Sequence, residues 1–133
     1  MREILFRGKR RDKGWIYGSL LKVTYDGNTY NLIFADNFLF VFGEATAMEH
    51  AAVNPGTVGQ FTGLTDKNGK KIFEGDIIKA IASNPVGEDV QATVIVSLDD
   101  YELMWDIEHS NEIEVIGNIY DNPELLGGGE DGK

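Results

Sequence analysis

Apolar and polar residues alternate along much of this chain, a two-residue period that suits strands with one buried and one wet face rather than helices. Trp15, Tyr17, Leu21, Val23 and Tyr25 share a parity. Asp26-Gly27 separates them from residues 29–35, which predicts a hairpin, because glycine tolerates the positive φ that a tight turn demands. Val90, Ala92, Val94, Val96 and Leu98 form a second apolar row. Tyr101, Leu103, Trp105 and Ile107 alternate with Glu102, Asp106 and Glu108, which predicts a further strand with Trp105 in the core and the carboxylates in water. Asp99-Asp100 has the length of a two-residue turn and makes these last two rows an antiparallel pair.

Between the two halves, residues 44–54 are alanine-rich and suit a short helix ended by Asn54-Pro55-Gly56. Asn122-Pro123-Glu124 predicts one helical turn with an asparagine cap and proline at its first position. The expected organisation is an N-terminal arm and β-hairpin region over 1–43, a connecting segment over 44–57, a β-barrel over 58–126 and a disordered tail over 127–133. No internal repeat is visible.

The net charge of −10 is unevenly placed. Residues 1–14 carry Arg2, Arg7, Lys9, Arg10, Arg11 and Lys13 against Glu3 and Asp12, a balance of +4 that leaves −14 for the remainder. From Ala80 to Gly132 there is no lysine or arginine. Such a surface repels phosphate, so nucleic acid is a poor partner for all but the N-terminal residues. One reading is solubility alone. The other is a basic arm docked on an acidic body: Ile4, Leu5 and Phe6 sit between Arg2 and Arg7, so the arm has side chains to bury. Its candidate interface residues are Arg2, Ile4, Phe6, Arg7, Arg10 and Arg11, with the acidic stretch after Val90 as receiver, in the same chain or in a second subunit of a homo-oligomer.

Residues 53–79 read VNPGTVGQFTGLTDKNGKKIFEGDIIK, and residues 114–126 read EVIGNIYDNPELL. These two motifs, in this order, together with the opening REILFR and Trp15 shortly after it, resemble the YopX family of phage and prophage proteins. The resemblance implies a largely β fold with a small barrel and an origin in a phage or prophage. It brings no catalytic residues and no established activity. Within the long motif, Asp66-Lys67-Asn68-Gly69 has turn formers throughout, with Gly69 suited to a left-handed position. Glu74-Gly75-Asp76 leads into the run from Ile77, as at the entry to the first long strand of an SH3-like barrel; there Gly75 supplies an unusual backbone angle and Asp76 bonds nearby amides. Gly63, Asp66, Gly69, Gly75 and Asp76 are structural positions on this view, as are Gly117, Asn118 and Pro123 of the second motif. The fold class expected is mainly β: a small SH3-like barrel, an N-terminal β-hairpin region and little helix.

Catalytic chemistries are poorly supported. The absence of cysteine excludes disulfides, thiolate metal sites and cysteine nucleophiles. The two histidines, His50 and His109, lie in segments of different character, and no P-loop, dinucleotide fingerprint or G-x-S-x-G elbow occurs. Asp66 and Asn68 begin like a calcium loop, but the later acidic ligands are missing. Twenty-two acids make some carboxylate pair inevitable, without a cleft to use it. Phe61, Phe73, Tyr101, Trp105 and Tyr120 suit either a core or a stacking surface. The basic N-terminus lacks the unbroken apolar core of a secretory signal, and no run reaches the ~20 apolar residues of a membrane span. The expectation is a cytoplasmic, non-catalytic binding or assembly module with no cofactor or metal, a homo-oligomer whose other partners are host or phage proteins. The runner-up is a nucleic-acid-associated factor that uses the basic N-terminus.

Overall fold

The computed structural model describes residues 4–11, 14–34, 51–83, 85–110 and 112–126. The fold is mainly β with antiparallel sheets, and the chain divides into two compact units, residues 1–61 and 62–133.

The first unit holds β1 (Phe6–Arg10), β2 (Gly14–Tyr25), β3 (Asn28–Phe34), β4 (Ala52–Val53) and the start of β5 (Gly59–Thr65), in the spatial order β4-β3-β2-β1-β5. The expected hairpin is present: β2 and β3 pair from Ser19↔Phe34 to Tyr25↔Asn28. Asp26 and Gly27 close it with φ of 52° and 79°, so both central residues are left-handed, as in the primed turns that match strand twist. Strand β1 lies between β2 and β5, with Phe6 opposite both Gly18 and Gln60. The N-terminal residues from Phe6 onward are therefore an interior strand of a sheet and not an arm laid on a separate body.

Gly8 is required there by packing. A Cβ on it would stand 2.8 Å from Val53 Cγ2 and 2.9 Å from Val53 Cβ, closer than side chains pack, so Val53 would have to shift. Residues 55–57 form a 3-10 turn whose cap, Asn54, accepts from the Gly56 amide at 3.0 Å. The turn clips onto β1, because Asn54 N–H donates to the Lys9 carbonyl at 2.9 Å and Lys9 N–H donates to Thr57 Oγ1 at 2.8 Å. Residues 51–57 are thus part of the first unit. The helix expected over 44–54 lies largely outside the described residues, as does the tail from 127.

The second unit contains the rest of β5, β6 (Lys71–Phe73), β7 (Asp76–Ser83), β8 (Asp89–Ile95), β9 (Glu114–Asn118) and one α-helix among the described residues, α1 (Tyr101–Glu108). Strand β7 is central in a three-stranded sheet, order β8-β7-β9, and β9 carries a bulge where Ile77↔Gly117 is followed by Ile78↔Val115. The sheets remain open among the described pairings, and no closed barrel forms. The core is Ile72, Ile78, Val96, Ile107 and Ile113, flanked by Leu64, Leu103, Met104 and Val115.

Residues 101–108 are a helix and not the expected strand, and this corrects the place of Trp105. Leu103, Met104 and Ile107 fall on one helical face and meet the core, with Ile107 3% exposed, whereas Trp105 is 60% exposed. Asp99-Asp100 is not a hairpin turn: the Asp100 carboxylate caps the helix by accepting from Leu103 N–H at 3.0 Å. Of the preceding apolar row, Val90, Ala92 and Val94 lie in strand β8 while Val96 and Leu98 follow its end, and the partner of β8 is β7, from Ile77↔Ile95 to Ser83↔Asp89.

The turns of the long motif behave as expected. Gly69 has φ of 83° and its N–H donates to the Asp66 carbonyl at 2.9 Å. The Asp66 carboxylate is buried and takes amide protons from Asn68 and Lys70 through Oδ1, both at 2.9 Å, and from Val115 through Oδ2 at 3.0 Å. Burial alone would raise its pKa, but these three amides and the Lys70 charge outweigh it and hold the carboxyl below the ordinary aspartate value of 3.8. Gly75 has φ of 88°, and a Cβ there would approach the Tyr120 ring to 3.1 Å. Asp76, 1% exposed, accepts from the Phe73 amide at 2.8 Å.

Three outcomes are expected. Gly75→Val should destabilise the protein by about 1 to 3 kcal/mol, measured by urea unfolding, since a β-branched residue resists that backbone angle and meets Tyr120; an unchanged midpoint would mean that the turn relaxes. Ile107→Ala should cost about 2 to 5 kcal/mol and Trp105→Ala less than about 1 kcal/mol, the reverse of what a strand would give. Asp66 has a depressed folded pKa, so its stabilisation is complete above 3.8 and is lost as pH falls through the lower folded value. Asp66→Asn should therefore lower stability at neutral pH by about 1 to 3 kcal/mol and flatten the acid limb of the stability curve; parallel limbs for the two proteins would refute it.

Candidate functional site

The residues singled out in the sequence do not converge on one place. Arg2 lies outside the described residues. Ile4 is 72% exposed just before β1, Phe6 is half-buried, and Arg7 is only 5% exposed, with its guanidinium carbon 4.8 Å from the centre of the Trp15 ring. The register explains the contact: Arg7 sits opposite Tyr17 and Lys9 opposite Trp15, so Arg7 and Trp15 are diagonal neighbours on one face. Arg10 is half-buried and Arg11 exposed at the end of β1. The basic N-terminal strand thus spends one of its arginines on an aromatic ring inside its own unit.

At the motif positions the structure shows turn geometry and hydrogen bonds to backbone amides. Gly63 has φ of 90° in β5. At Gly117 a Cβ would stand 2.6 Å from Asn122 Oδ1, the atom that accepts from Asn118 N–H at 3.2 Å. Asn118 Oδ1 in turn accepts the amides of Tyr120 and Asp121, both at 2.9 Å, and Pro123 opens the 3-10 turn Pro123–Leu125. Asn122 precedes that turn but makes no side-chain cap there, because its carboxamide is committed to Asn118. The Asn118 and Asn122 side chains thus bind backbone amides.

What sequence reasoning missed is the outer face of α1. Tyr101, Trp105 and His109 recur at four-residue spacing and so line one side of the helix. Tyr101 is 82% exposed, and the rings of Trp105 and His109 stack with centroids 4.0 Å apart at 19°. His109 Nδ1 lies 2.8 Å from the Trp105 carbonyl oxygen, which fixes the imidazole over the indole. Glu102 and Asp106 follow the aromatic stripe on one flank and Glu108 on the other, all exposed. The signal is present in the sequence as an aspartate cap at Asp100 and apolar residues at 103, 104 and 107, but the parity of the aromatic residues obscures it.

Phe61 and Phe73 are buried, and Tyr120 packs on Gly75, so these aromatics serve packing. Among the described residues no three acidic or histidine side chains gather in a way that would hold a metal ion, and no helix is long and apolar enough to cross a membrane.

No curated protein matches the sequence. Among solved structures, the crystal structure of protein EF1440 from Enterococcus faecalis is similar, with 24% identity over 95% of this chain and 99% of that one and a TM-score of 0.45. The model of the YopX protein family matches residues 5–127, nearly the whole length and both motifs. The chain belongs to the YopX family.

Proposed function

We propose that this protein is a phage- or prophage-encoded accessory factor of the bacterial cytoplasm that works by binding and assembly, without catalysis, and that it forms a homo-oligomer. The observation that carries this reading is where large apolar side chains stay in water: Ile4 at 72% beside the basic strand of the first unit, and Tyr101 at 82% and Trp105 at 60% on the helix of the second. Exposed aromatic and aliphatic anchors amid charge are the composition of contact surfaces. Among the described N-terminal residues the exposed Arg11 has a charge opposite to that of the stretch after Ala80, which supports self-association. In the second unit, the glycine-aspartate turn into β7 and the short strands around it support an SH3-like arrangement of β5 to β9. The nucleic-acid reading ranks below, since Arg7 lies buried against Trp15, out of reach of phosphate.

Deleting the N-terminal residues is a poor test, because β1 is paired on both sides. Light scattering on the full chain and on an Ile4→Asp, Arg11→Glu variant avoids that difficulty. A multiple of the protomer mass is expected for the natural sequence, falling towards the protomer in the variant while the far-ultraviolet spectrum stays the same. A protomer mass for both at micromolar concentration would end the homo-oligomer proposal, and salt-sensitive retardation of generic DNA would promote the nucleic-acid reading.

A further inference from the structure

Helix α1 sets an aromatic stripe in a field of one sign, and the two features together specify a partner. At 60% exposure most of the Trp105 surface faces water although His109 stacks on it, and Tyr101 stands one helical turn away, more exposed still. Indole and phenol faces attract cations, the indole most strongly. A guanidinium suits such a site better than an ammonium, because it lies flat on a ring while its edge donates to carboxylates through a planar fork. The carboxylates are in place: Glu102 and Asp106 along one flank of the stripe, Glu108 along the other. No lysine or arginine occurs between Ala80 and Gly132, so none in that stretch competes for these acids or repels an incoming guanidinium.

We propose that the outer face of α1 docks an arginine-bearing basic segment of a partner protein. This rests on the reading of the chain as a binding module and names the chemistry of its partner. Nucleic acid is disfavoured at this face, since the same carboxylates repel phosphate. A second copy of the chain fits less well than a foreign segment: of the described arginines Arg7 is buried, Arg10 half-buried and Arg11 exposed, so the described residues offer this face fewer reachable guanidiniums than an arginine-rich segment does.

The test is fluorescence anisotropy of the full chain with three labelled peptides, alternating arginine and glycine, lysine and glycine, or glutamate and glycine. The arginine peptide should bind, more tightly than the lysine peptide, and the glutamate peptide should not. Affinity for the arginine peptide should fall by about tenfold in Trp105→Ala and recover substantially in Trp105→Phe. Thermal melts of both variants should match the natural protein, because the side chain is exposed. Equal binding of the two basic peptides, untouched by Trp105→Ala, would reduce the site to diffuse electrostatics and overturn the proposal, as would no binding of the arginine peptide at millimolar concentration. Sedimentation of the same variants separates this from the wider reading: if Trp105→Ala dissolves a homo-oligomer, the occupant is a second copy, and the partner named here is wrong while the binding module stands.

Discussion

One carboxylate organises the second unit. Asp66 sits in a turn between β5 and β6, yet the third amide it accepts belongs to Val115, on a strand 49 residues later. A buried anion needs its lone pairs filled, and here backbone groups from two distant segments fill them. The turn it closes therefore fixes where β9 begins, and β9 pairs with β7, whose entry is set by Gly75 and Asp76. The neighbouring backbone bonds continue the chain of dependence: Lys67 N–H donates to the Ile113 carbonyl at 2.9 Å, and Ile119 N–H to the Gly75 carbonyl at 2.9 Å. The two motifs, far apart in sequence, are two sides of the same set of hydrogen bonds.

Much of this is legible in the amino-acid sequence. Turn chemistry is local, so Asp26-Gly27, Asp66 to Gly69 and Gly75-Asp76 announce their backbone angles and each adopts them. What is not legible is how residues 101–108 choose between two periods. Tyr101, Leu103, Trp105 and Ile107 satisfy a strand's alternation, while Leu103, Met104 and Ile107 satisfy a helix's stripe. The choice falls to the Asp100 cap and to the core that receives Ile107. Tertiary packing decides such short ambiguous segments, and a one-dimensional pattern holds no record of it.

The N-terminal charge shows the same limit from another side. Six cations among the first fourteen residues suggest a basic arm. Strand pairing buries Arg7 against Trp15 instead, while Arg11, one residue past the end of β1, stays in water. Formal charge counts residues, whereas a surface field counts only those that solvent can reach, so clustering in sequence overstates what the folded strand presents. The exposed stripe on α1 is hidden for the complementary reason, because aromatic residues in an alternating pattern are normally core.

The two tryptophans divide between the units, Trp15 in the first and Trp105 in the second. Their surroundings differ as much as their addresses: Trp15 is half-buried beneath a guanidinium, and Trp105 already faces water. On unfolding, the indole that changes its environment most is Trp15. The shift of emission wavelength on unfolding is consequently weighted towards residues 1–61, while the second unit reports chiefly through the loss of the stack between Trp105 and His109. A single emission transition carries no information on whether both units melt together until a probe of backbone structure is followed alongside it.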